Sequence, residues 1–235
     1  MPVPSASRWA TRPGNWDPLH ASITYPGDAI HGLPVLLPCP APPLPPALTA
    51  WPGRKRRPPS NGLHCFVDDY RFEPLWKSPA RFTASLLAAP LLLTPDFSLY
   101  DDWPLPLQLW NAYRSRWIAR WLQDLGARVV PAVSWAGPAS FPFAFTGIPR
   151  GSAVAVTTTG RTRFREAFAA GYRAMVDVVH PCLVVLVGDA LPPELAALAP
   201  THTYPADALA AVRERAARTL LTRGTTHHGR SRRIG

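Results

Sequence analysis

The sequence predicts an α/β protein built on a mostly parallel sheet of about five or six strands with helices on both faces. Three features predict it. Between residues 63 and 205, apolar runs of strand length alternate with longer segments of helical periodicity. The runs are continuously apolar, as in strands buried on both sides, rather than alternately apolar and polar. Gly and Pro fall between them, where turns are needed. An open doubly wound sheet and an incomplete barrel both satisfy this pattern, and strand order is not encoded in it.

The elements follow in order. HCFVDDY (64–70) predicts a short buried strand. FEPLWKSPARFTASLLAA (72–89) predicts a helix, with Pro near its start where the missing donor is tolerated. PLLLTPDFSLY (90–100) predicts the second strand. PLPLQLWNAYRSRWIARWLQDLG (104–126) is the clearest helix, because Leu107, Trp110, Tyr113, Trp117, Trp121 and Leu125 recur at spacings of three or four and share a face. Asp102 is placed to cap its start, and Gly126 to stop it. ARVVPAVSW (127–135), SAVAVTTTG (152–160) and CLVVLVG (182–188) predict three more strands. RFREAFAAGYRAMVDVVH (163–180) predicts the helix between the last two. LPPELAALA (191–199) reads as a short helix, THTYPA as a further strand, and 206–222 as an Arg-rich helix.

Three regions result. Half of the 30 prolines lie in residues 1–60, so 1–62 reads as a Pro-rich, basic arm with extended backbone. Its apolar residues Ile30 to Leu37 can pack on the main domain. Residues 63–205 form the α/β core, and 206–235 a basic helix and tail.

The net charge is +10 and the pI about 10.4. Such a balance favours polyanionic partners, DNA or another nucleic acid foremost. The flanks carry most of it, including the run Arg54-Lys55-Arg56-Arg57. Composition alone also explains arginine abundance, since Lys55 and Lys77 are the only lysines. Three scattered cysteines exclude a disulfide framework and predict a reduced, cytoplasmic protein. No apolar run is long enough to span a bilayer, and the N-terminal residues lack the apolar centre of a signal peptide, so no membrane partner is expected.

In parallel α/β folds, ligands sit beyond the carboxyl ends of the strands. The residues there are Asp68 and Asp69; Asp96, Ser98 and Asp101; Ser134 and Trp135; Thr157, Thr158, Thr159 and Gly160; and Gly188 and Asp189. Asp68, Asp69 and Asp96 are the candidate catalytic residues. Asp68 and Asp96 are the candidate ligands of a divalent cation such as magnesium, which hard oxygen donors would hold for phosphoryl transfer or hydrolysis. The competing reading makes these aspartates helix caps and turn closers. Thr157 to Gly160 could cradle an anion on free backbone donors ahead of a helix. Arg114, Arg161, Arg163, Arg213, Arg232 and Arg233 are the candidate nucleic-acid contacts. The tryptophans beside Arg114, Arg116 and Arg120 could stack on a single strand, although their spacing fits core positions better. P-loop, GxGxxG, HExxH and GxSxG motifs are absent.

DDYRFEPLW, TPDFSLYDDWPLPLQLWNAYRSRW, VVPAVSW, FAFTGIPRGSAVAVTTTG and FAAGYRAM, together spanning about residues 64–188, resemble a domain of unknown function found in phage, plasmid and mobile-element proteins. The resemblance implies a mobile-element setting and raises the expectation of DNA-related work. It supplies no catalytic residues. The expectation is a nucleic-acid-binding accessory protein. The alternatives are a metal-dependent phosphoryl-transfer or hydrolytic enzyme, and an interaction module whose Pro-rich arm binds a protein partner.

Overall fold

A computed structural model describes residues 3–4, 17–52, 59–159 and 165–206. Nine strands and six α-helices are described. The strands are β1 (Val3–Pro4), β2 (Ile23–Thr24), β3 (Leu48–Ala50), β4 (Gly62–His64), β5 (Leu92–Leu93), β6 (Val129–Val130), β7 (Val154–Thr157), β8 (Val184–Val187) and β9 (Thr201–Tyr204). The helices are α1 (Asp69–Lys77), α2 (Thr83–Leu87), α3 (Leu105–Asp124), α4 (Phe141–Ala144), α5 (Arg165–Val179) and α6 (Pro193–Ala196). Met1–Tyr204 form one compact unit; of the second, Pro205–Gly235, only the first two residues are described. The predicted helix over 206–222 therefore lies outside the described residues.

β3, β4, β5 and β6 pair in that order, all parallel, and β7, β8 and β9 do the same. A parallel bridge between Ala132 and Ala155, with Val133 N–H donating to Ala155 O at 2.9 Å, joins the two ladders. Strand order thus follows chain order, without the reversal that a doubly wound sheet requires. No ladder closes a barrel among the described residues.

Side-chain alternation explains this topology. Leu92, Val154, Val156, Val184 and Leu186 face one side, where they pack with residues of α1, α3 and α5. Leu91, Leu93, Val130, Ala155, Val185, Val187 and Tyr204 face the other, in a cluster with no helix residue. Strand residues and the proline-rich segment fill that inner face, through Cys39, Leu44 and Leu48. Ala153 N–H donates to Cys39 O at 2.6 Å, and Cys39 N–H to Ser152 Oγ at 3.2 Å. Leu33 and Leu36 are buried as well, while Ile30 and Leu37 are exposed. The Tyr204 hydroxyl, on the last strand, donates to Pro45 O just ahead of β3 at 2.6 Å. The first and last strands are therefore tied through the arm.

Two local expectations are corrected. Pro104 takes the N-cap position of α3 and no side chain caps it; Asp102 is exposed instead. The buried face of α3 is wider than the aromatic stripe. Ala112, Trp117, Ile118, Ala119 and Leu122 are buried, whereas Leu107 and Leu125 lie on the exposed side. The helix touches two clusters, so both of its faces are covered. Gly126 ends it as expected, with a positive φ of 81° and its N–H donating to Gln123 O at 2.9 Å.

Tyr204→Phe removes one buried hydrogen bond and leaves Pro45 O without its partner. It should lower unfolding free energy by about 1 to 2 kcal/mol in chemical denaturation, without changing the far-UV spectrum.

Candidate functional site

The carboxyl ends of β5 to β8 open into two neighbouring cavities. The first, about 450 Å³, lies among Asp96, Ser98, Asp101, Ser134, Trp135 and Thr159, with Tyr100 and Phe168 as further walls. The second, about 590 Å³, lies between Thr158, Asp189, Leu191 and the start of α5 and α6, with Glu166 and Glu194 at its edge. Phe168 borders both. Strand pairing ends at Leu93, Ala132, Thr157 and Val187, just ahead of these lining residues.

The walls of the first cavity are held from behind. Gly171 lies so close to Trp135 that a Cβ there would overlap the indole ring. Trp135 also packs against Phe168 and Phe145, with centroids 5.4 and 6.0 Å away. Asp101 accepts a short hydrogen bond from Gly137 N–H, which fixes the β6–α4 loop against the β5–α3 loop. Ser140 Oγ accepts from Ala136 N–H at 3.1 Å and donates to Gly137 O at 2.8 Å.

Each predicted site residue can now be placed. Asp69 accepts from Ser98 N–H and Ser98 Oγ–H at 3.0 and 2.9 Å, so its carboxylate organises the loop after β5. Asp68 is exposed at the start of α1 and makes no capping bond. Asp96 is half-buried in the cavity wall, and its charge adds to burial in holding the enclosed Cys65 thiol well above its ordinary pKa. Burial of this kind makes a thiol less reactive than an exposed one. Among the described residues no three His, Cys, Asp or Glu side chains gather as metal ligands, so Asp68, Asp69 and Asp96 form no such group.

Arg114 is directed inward. Its guanidinium donates to Glu73 at 2.8 Å and to Asn111 Oδ1 at 2.5 Å, and stands 3.7 Å over the Phe97 ring. Asn111 in turn donates to Ser98 O at 2.7 Å. A phosphate could reach this arginine only by displacing Glu73. Arg114 thus serves the loop that carries Ser98, a correction to its expected place on a binding surface. Arg116 is fully enclosed and donates to Thr146 O at 2.9 Å and Ala144 O at 2.5 Å; burial pushes its pKa down to about 10, so it remains charged at neutral pH. Trp117 is core: its ring stacks on His20 at 4.5 Å and its Nε1–H donates to Ile23 O at 3.0 Å.

The Thr157–Gly160 anion cradle loses two of its donors. Thr158 N–H is spent on Val187 O at 3.1 Å, and Thr159 N–H on Thr157 Oγ1 at 3.1 Å. Arg161, Arg163, Arg213, Arg232, Arg233 and the run 54–57 lie outside the described residues.

Charge is uneven along the sequence. Residues 63–205 contain twelve Arg or Lys and eleven Asp or Glu, a net of +1. Residues 1–62 carry a net of +4 and 206–235 a net of +5. Around the two cavities the charged lining residues are all acidic among those described: Asp96, Asp101, Glu166, Asp189 and Glu194.

A family model described as a domain of unknown function (DUF4417) matches residues 29–204. The Gene 1 protein of Mycobacterium phage L5 is 39% identical over 191 residues, which cover 78% of this chain and 82% of the phage protein. The Gene 1 protein of Mycobacterium phage D29 is 38% identical over 191 residues, covering 78% and 70%. No solved structure matches. The family match begins within the proline-rich segment, in agreement with the burial of Leu33, Leu36 and Cys39.

Gly171→Ala should drive a methyl group into the Trp135 indole. Overpacking of this kind costs about 1 to 3 kcal/mol, and thermal melting should show the loss.

Proposed function

We propose that this chain, which belongs to the DUF4417 family shared with mycobacteriophage Gene 1 proteins, is a nucleic-acid-binding accessory protein of a phage or mobile element. The observation that carries the reading is the segregation of charge. A compositional excess of arginine would spread along the chain. Instead thirteen of the 25 Arg and Lys residues, against four Asp and Glu, fall in the 92 positions outside 63–205, and the α/β core is nearly neutral at +1. Short basic segments joined to a neutral or acidic body suit phosphate contact without sequence readout. Arg54, Lys55, Arg56 and Arg57 form one such segment, Arg161 and Arg163 a second, and the tail containing Arg213, Arg232 and Arg233 a third.

The body contributes a rigid frame and the cavities at the strand ends. No helix among the described residues is long and apolar enough to cross a membrane. Of the cysteines, Cys39 and Cys65 are buried and Cys182 is exposed, all free, as suits a cytoplasmic setting. A metal-dependent mechanism draws less support, because the Asp69 carboxylate is engaged by Ser98 and no group of three or more candidate ligands occurs among the described residues.

The reading is tested with the full chain, a labelled DNA duplex and a labelled single strand across a salt series. Affinity should fall steeply with salt, with a logarithmic slope of about −0.9 for each duplex phosphate neutralised. Replacing Arg54, Lys55, Arg56 and Arg57 by Gln should make that slope shallower by up to about 3 or 4. Absence of binding at low salt, or binding indifferent to neutralisation of all three segments, would overturn it.

A further inference from the structure

We propose that the proline-rich segment ahead of β3 presents a fixed polyproline ridge, centred on Pro40 and Pro43, to a partner protein whose groove is lined by aromatic side chains. This goes beyond the nucleic-acid reading and does not depend on it.

The period of burial is the first argument. Residues 35–45 belong to no helix or strand. Leu36, Cys39 and Pro45 are buried and Pro42 is half-buried, whereas Leu37, Pro40, Pro43 and Pro46 are all exposed. Val35, Pro38 and Ala41 are exposed as well, and Leu44 is half-buried. A period of three is that of a polyproline II helix, in which every third residue returns to the same edge. One edge thus lies against the body while a second stands in solvent. With a rise of about 3.1 Å per residue, the exposed edge from Leu37 to Pro46 is about 28 Å long.

The second argument is anchoring. Leu37 N–H donates to Gln123 Oε1 at 2.8 Å, and Gln123 Nε2–H to Leu37 O at 3.0 Å. Ser152 and Ala153 hold the N–H and the carbonyl of Cys39, and the Tyr204 hydroxyl holds Pro45 O. Gly62 N–H donates to Ala47 O at 3.0 Å where the segment enters β3. The ridge is therefore ordered before any partner arrives, which removes the ordering cost that a free proline-rich peptide pays on binding.

The third argument selects the partner. Val35, Leu37, Pro38, Pro40, Ala41, Pro43 and Pro46 carry neither charge nor side-chain hydroxyl, so the ridge itself offers nothing to a polyanion. Its prolines have no N–H, so a strand cannot pair along it. A ridge is convex and needs a concave surface. The carbonyls of Pro38, Ala41 and Pro43 accept no hydrogen bond among the described residues. A groove of Trp and Tyr rings meets all of these conditions: the rings pack on the proline edges, and their N–H and O–H groups donate to the carbonyls between them.

The test is calorimetric titration of the full chain with three purified modules that read this geometry, an SH3, a WW and an EVH1 domain. At least one should bind one to one. Pro40→Ala and Pro43→Ala, both at exposed positions, should weaken that binding about tenfold or more without lowering the melting temperature. Pro106→Ala, at an exposed position on α3, should leave it unchanged. Binding by none of the three modules, or binding indifferent to Pro40→Ala and Pro43→Ala, would overturn the proposal. Self-association of the full chain in sedimentation, abolished by Pro43→Ala, would put a second copy on the ridge and overturn the choice of partner. Module binding without DNA binding would support the ridge and remove the nucleic-acid reading, and DNA binding without module binding would do the reverse.

Discussion

A parallel sheet whose strand order follows chain order leaves one face without helices, and that face must be covered by something else. Here β3 to β9 run in sequence, and α1, α3 and α5 pack on one side. The inner side is filled by alternate strand residues and by the proline-rich segment that precedes β3. Proline suits this task. It presents apolar surface, fixes its own backbone, and needs no donor partner. The segment is anchored by the few donors it retains, at Cys39 and at Leu36, whose N–H reaches Gly147 O at 2.8 Å. Gly147 has a positive φ, and a side chain there would strike Pro34 O. What reads in the sequence as an appendage is thus a wall of the core, and Tyr204 closes the wall against the last strand.

The same winding brings every strand end to one rim. Loops after β5, β6, β7 and β8 meet there, each braced by a specific contact: Ser98 on Asp69, Gly137 on Asp101, Thr158 on Asp189 O at 3.0 Å. Gly188 has a φ of 125°, and a side chain there would strike Thr158 Oγ1. The bracing consumes much of the polar chemistry that looks catalytic in the sequence. Among the described residues, the charged groups that line this hollow are carboxylates.

The fold class was legible because apolar runs and helical periodicity report burial directly. Strands β5 to β9, helices α3 and α5 and the short α6 fall within their expected ranges, whereas β4 ends at His64, where its expected range begins, and α1 starts inside that range at Asp69. β3 was hidden because proline density argues against strands, yet an edge strand of three residues between prolines breaks no rule. The strand-end rule pointed to Asp96, Ser98, Asp101, Ser134, Trp135 and Thr159, and all six line one cavity. It gave no way to choose among them, so Asp69 was favoured although its carboxylate is turned to Ser98. Phe168 went unnoticed, yet a signal existed: it begins the stripe Phe168, Tyr172, Met175 and Val179 on α5, one turn apart, and the first member of such a stripe lies at the strand ends. Arg114 was misread because sequence shows a cation beside tryptophans but not Glu73, which is 41 positions away and neutralises it.

The most direct test of this account is hydrogen exchange across the full chain, free and bound to single-stranded DNA at low salt. The account predicts new protection in peptides covering residues 53–58, 160–165 and 207–235, and no change at α3. Protection confined to α3, or no protection in any basic segment, would contradict it.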